Sequence, residues 1–117
     1  LLDTVHEAKH VENILYSYYE NLKEGYCFFI DDINWIPYLK NSEKDHFYGE
    51  INNLETFNKL LEIYSNNRNK IDMEFTFVGT GMCKIKKISS QPLDVPAKIN
   101  SRKNSLKNLF RSFFKRN

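Results

Sequence analysis

The segment Tyr26-Cys27-Phe28-Phe29-Ile30 narrows the choice of folds more than any other part of this chain. It is a short, unbroken apolar run without the alternation that a strand facing water on one side would show. Such runs belong to strands covered on both faces, as in parallel sheets. A helical stretch precedes it. Residues 7–22, EAKHVENILYSYYENL, space Val11, Ile14, Leu15, Tyr18 and Leu22 along one helical face, and Gly25 stands where a helix stops. Helix, glycine stop and buried strand make half of a βαβ unit. Leu1-Leu2-Asp3 then reads as the end of the strand before it, and the expected fold class is α/β.

The remainder divides into recognisable pieces. Residues 33–52 form a long, aromatic connection of the kind that often serves as a lid or binding loop. Asn53 is placed to cap a helix with Leu54, Phe57, Leu60, Leu61 and Tyr64 on its apolar face. Residues 73–88 alternate on either side of Gly79-Thr80-Gly81, which predicts an antiparallel hairpin. Pro92 and Pro96 mark a linker. The expected division is residues 1–90 as one domain and 91–117 as linker and tail. At 117 residues, with 15% aromatic content, the chain has the means for one packed core. Cys27 and Cys83 lack metal-ligand spacing and read as small apolar residues of a reduced, cytoplasmic protein.

Chemistry concentrates where the apolar run ends, at Asp31-Asp32. In open α/β sheets, ligands bind beyond the carboxyl ends of the strands. If Leu1-Leu2 and the apolar run are parallel neighbours, Asp3, Asp31 and Asp32 converge on one edge. Three close carboxylates repel unless a hard cation shares their charge, and oxygen donors suit Mg²⁺, Mn²⁺ or Ca²⁺ better than zinc. The plainer alternative is that each Asp caps a turn and is solvated.

The order LLDTVH, LKEG and FFIDD resembles the C-terminal half of class I S-adenosylmethionine-dependent methyltransferases, closest to the metal-dependent O-methyltransferases of the macrocin and catechol type. The resemblance spans roughly residues 1–88. It implies a Rossmann-like sheet with parallel strands closed by the antiparallel hairpin. It also implies Mg²⁺ or another divalent cation on Asp3, Asp31 and Asp32, holding two oxygens of a small-molecule or sugar acceptor. Asp3-Thr4-Val5-His6 fits the Asp-x-x-His of many relatives, and with Val5 where some carry a second Asp, His6 is the nearest candidate base. The rival reading of His6 is a residue that caps the first helix. Trp35 and Tyr38 lie where the family's acceptor lies; they either wall a substrate or cover the core. The sequence departs from the family in lacking the second glycine of the LKPGG-like turn. It also lacks a Gly-rich turn after a first strand, the feature that would hold S-adenosylmethionine. The expected protein is therefore a fragment without its cofactor-binding half.

Charge is distributed unevenly. Residues 1–97 carry ten Lys/Arg against all fifteen acids, whereas residues 98–117 carry seven Lys/Arg and no acid. In the tail, residues 102–116 place Leu106, Leu109, Phe110, Phe113 and Phe114 on one helical face, with Lys103, Lys107, Arg111 and Lys115 around them. A basic amphipathic helix of this kind suits an anionic membrane surface, to which the protein would be peripheral. The same face equally suits a partner subunit or the domain itself. Nucleic acid fits poorly, because the acidic body would repel its backbone. A non-catalytic chain that binds a membrane or partner through this tail is the alternative to an enzyme.

Overall fold

Ala8, Val11, Leu15 and Tyr19 recur every three or four residues and form the buried face of α1, Ala8–Tyr19. Tyr18, expected on that face, points outward, and Tyr19 takes the core position one turn beyond Leu15. The computed structural model describes residues 7–94 and, in the tail, Leu106 and Phe110. After α1 come β1, Cys27–Asp31, and a short 3₁₀ turn, Ile36–Tyr38. Then follow α2, Phe47–Asn66, β2, Ile71–Thr76, and β3, Met82–Lys87. Gly25 carries the turn into β1 at φ 91°, in the left-handed region expected of a helix stop.

The fold is mixed α/β. The predicted hairpin is β2–β3, and β3 lies between the other two strands, antiparallel to both. The described sheet is thus wholly antiparallel. The parallel neighbour expected for β1 would come from Leu1–Asp3, which lies outside the described residues, as does the expected tail helix apart from Leu106 and Phe110. Among the described residues no helix is long and apolar enough to cross a membrane.

Both helices pack on one face of the sheet. Val11, Leu15 and Tyr19 of α1 join Leu60 and Ile63 of α2 over Ile30, Ile71, Cys83 and Ile85. The other face carries Phe29, Met82, Lys84 and Lys86, with Glu74 opposite Lys84 and Asp72 opposite Lys86. Phe29 is 38% exposed there, so the described residues cover β1 on one face and not on both, as its apolar run had suggested. Opposite charges across β2 and β3 keep their part of that face compatible with water.

Two lysines enter the core with partners. Lys59, 1% exposed, reaches Glu12 of α1 at 3.1 Å and Glu62 at 3.6 Å, so its ammonium bridges the helices instead of standing alone in an apolar site. Lys87 follows Cys83 and Ile85 onto the core side of β3. Its Nζ donates to the Tyr19 carbonyl at 3.0 Å and sits 4.4 Å over the Tyr19 ring. A cation at that point answers the partial negative charge of the α1 C-terminus.

The second helix begins six residues before the expected cap. His46 is its N-cap, with Nδ1 accepting from Gly49 N at 3.1 Å. Asn53 is buried inside the helix, and its amide donates to the Asn34 carbonyl at 2.9 Å. A cap-forming residue type has been spent on a tertiary contact.

Candidate functional site

Asp31 ends β1 and Asp32 turns the chain sharply out of the sheet at φ 56°, in the left-handed region that Asp and Asn adopt more readily than other non-glycine residues. Its surroundings hold it there. Asp32 N donates to Asp31 Oδ1 at 2.8 Å and lies 3.2 Å from the Gly81 carbonyl. Asn34 N donates to the Thr80 carbonyl at 2.8 Å. The buried Asn34 side chain does more: Nδ2 donates to the carbonyls of Phe77 and Gly79, and Oδ1 accepts from Ile36 N. With Asn53 gripping its carbonyl, Asn34 joins the β1 exit loop to the β2–β3 turn and to α2.

Tyr38 comes to the same place. Its phenol is held above the ordinary tyrosine range, first by burial and then by the charges of Asp32 and Asp31. The ring fits because residue 49 is glycine: a Cβ there would stand 2.7 Å from Tyr38 Cδ1. Backbone bonds from Lys44 N to Pro37 O and from His46 N to Tyr38 O close the loop around it.

Trp35 has its ring centroid 5.4 Å from Phe57 and 6.3 Å from Phe77. Phe75 completes this aromatic group against Phe57. Trp35 thus covers the core, while part of its surface remains open.

Of the residues predicted to form the site, Asp31 and Asp32 end β1, Tyr38 feels their charge from the following loop, and Trp35 packs with Phe57 and Phe77. Asp3 and His6 lie outside the described residues. Among the described residues no group of three or more His, Cys, Asp or Glu is disposed to hold a metal ion. The Asp31-Asp32 pair has the right donor chemistry for a hard cation, but Asp31 has committed one oxygen to Asp32 N. A cation there needs a third ligand. Among the described residues the fit to S-adenosylmethionine fails: Gly79 and Gly81, at φ 62° and 80°, close the β2–β3 hairpin and do not form a turn that leads from a strand into a helix.

Asn34, Asn53, Gly49 and Gly81 do the positioning, and none was singled out for it from the sequence. An Asn two residues past a doubled Asp, with a Gly-x-Gly turn downstream, was the available signal. His10 is half-buried on α1 and His46 is an exposed cap. Comparison of the chain with protein-family models, with curated proteins and with solved structures gives no match.

Proposed function

We propose that this chain is the C-terminal half of a Rossmann-like, metal-dependent methyltransferase that methylates a hydroxyl of a small molecule or sugar. One observation carries the reading: two half-buried carboxylates at the carboxyl end of a strand, on a left-handed turn braced from two sides, with the Tyr38 phenol close enough to feel their charge. Among the described residues no strand pairs with the edge of β1 away from β3, and a parallel strand ending in Asp3 would lie there.

On this reading Asp3, Asp31 and Asp32 hold a divalent cation. An ion held there would make the acceptor hydroxyl more acidic. His6 takes the hydroxyl proton. Trp35 and Tyr38 wall the acceptor, and the Tyr38 hydroxyl can donate to an acceptor oxygen. The methyl donor belongs to a cofactor-binding half that these residues do not include. Calorimetric titration of this chain with S-adenosylmethionine should therefore show no binding; tight binding would overturn the assignment of halves.

Mg²⁺ or Mn²⁺ should raise the melting temperature, by roughly 10 °C at a hundredfold excess over Kd, since a ligand specific to the native state stabilises it. Asp31→Asn should remove most of that shift. No shift in the parent chain, or an equal shift in Asp31→Asn, would sink the metal site.

A second reading has its own observation. Leu106 and Phe110, four residues apart in the tail, are 75% and 62% exposed. An apolar pair so placed favours a chain that engages a surface, a membrane or a protein, through residues 102–116.

A further inference from the structure

We infer that the cavity between the end of α1 and the segment after β3 binds a small zwitterion, an α-amino acid. The cavity has a volume of about 300 Å³ and is lined by Tyr19, Glu20, Lys87, Ser90 and Pro92, which leaves room for a molecule of that size. It lies away from the doubled aspartate. Asp31 pairs with Met82 at one end of β3, whereas Lys87 follows Lys86, the partner of Cys27, at the other. The inference is therefore independent of the methyltransferase reading.

Lys87 is the starting point. It is 5% exposed, and its ammonium meets only the Tyr19 carbonyl and the face of the Tyr19 ring. Among the described residues no carboxylate pairs with it. Lys59, the other buried lysine, reaches two glutamates. Buried full charges are ordinarily paired, and a carbonyl with a ring face answers the charge of Lys87 only in part. An ammonium has three N–H donors, so one remains to spare for a ligand carboxylate. Glu20 lines the same cavity and pairs with neither Lys87 nor any other described cation. A phosphate would be repelled by that carboxylate. A molecule carrying a carboxylate and an ammonium meets both charges with the right sign. Tyr19 and Pro92 offer apolar surface to an aliphatic side chain.

The walls are held in place. Lys87 N donates to the Tyr26 carbonyl at 3.0 Å, and the Lys87 carbonyl accepts from Gly25 N at 2.7 Å. The segment that carries Ser90 and Pro92 is tied back by Asp94 N, which donates to Asn67 Oδ1 at 2.8 Å. A site fixed in this way needs little ordering to receive a ligand.

The test is calorimetric titration of the full chain with L-leucine, with isocaproate, which lacks the ammonium, and with isoamylamine, which lacks the carboxylate. Leucine should bind saturably. Isoamylamine should bind about tenfold more weakly or worse, the effect of removing a hydrogen bond to a charged group. Isocaproate should bind about threefold more weakly, because Glu20 is exposed and its pairing is screened. Lys87→Met should weaken leucine binding about tenfold or more. That variant also loses the Tyr19 contacts, so Glu20→Gln, at an exposed position, supplies the second measurement, with an unchanged melting temperature as its check. Glu20→Gln should bring leucine down to the affinity of isocaproate and leave isocaproate unchanged. No saturable binding of leucine would overturn the inference, as would equal binding of leucine and isoamylamine. A difference between leucine and isocaproate that persists in Glu20→Gln, or no difference in the parent chain, would overturn the zwitterion assignment.

Discussion

Gly81→Ala should destabilise the protein by about 2–4 kcal/mol, several times the effect of an average surface substitution. Two costs combine at this position. The residue sits at φ 80°, where an L side chain is strained by about 1–2 kcal/mol. A Cβ would also stand 3.0 Å from each of Asn34 Cβ, Ile33 Cγ1 and the Thr76 carbonyl oxygen. The carbonyl belongs to the end of β2 and cannot swing aside. Ile33 and Asn34 are buried and hold the exit loop, so they cannot yield without moving Asp32.

Gly79→Ala provides the control. That residue has φ 62° and nothing within 4 Å of an added Cβ, so strain alone applies, about 1–2 kcal/mol. Urea denaturation of the two variants, with unchanged slopes, separates strain from crowding. The same pair bears on function. If the turn positions Asp32 through the Gly81 carbonyl, Gly81→Ala should reduce stabilisation by Mg²⁺ and Gly79→Ala should leave it intact. Equal losses of stability in the two variants would mean that the contact with Ile33 and Asn34 is unimportant.

The parts of this fold that were legible in the sequence rest on local patterns. A helix was readable from Val11 and Leu15 at period 3.6, a strand from Cys27–Ile30, and a hairpin from alternation around two glycines. The doubled aspartate was readable as the exit of a strand. Long-range choices were hidden. Asn53 has the chemistry of a cap, yet the Asn34 carbonyl claims its amide, and a histidine, a less usual cap, starts α2 instead. Lys59 stands in an apolar helical stretch and reads as solvent-facing until Glu12 arrives from another helix to neutralise it. Lys87 could have been placed on the core side by counting in twos from Cys83. What makes the position tolerable is the Tyr19 carbonyl, nearly seventy residues away in the chain. Tyr38 could be placed near the aspartates, but not the glycine at position 49 that makes room for its ring.

Raising the pH above about 9 should weaken this protein through the buried thiol of Cys83. Cys83 is fully buried on the core face of β3, and burial pushes its thiol up to about 12. In the unfolded chain it titrates near 9.0. Between those values the unfolded state has released a proton that the native state retains. Stability therefore falls as pH rises, by about 1.4 kcal/mol per pH unit for this group alone. The full contribution is present below pH 9.0 and is lost on the way to about 12. Tyr16 works in the same direction from a higher start: burial, then the charge of Glu12, lift its phenol from 10.0 to about 12. Its hydroxyl donates to the Asp94 carbonyl and so ties the segment after β3 to α1. Solvent screening moderates its share. Denaturation between neutral pH and about pH 10.5 should show a loss of roughly 2 kcal/mol from Cys83, with more from Tyr16. Cys83→Ala will start from a lower stability because it leaves a small cavity, so the slope is the informative quantity. That slope should flatten in Cys83→Ala above pH 9.0. Parallel slopes in the parent protein and Cys83→Ala would place the alkaline weakness elsewhere.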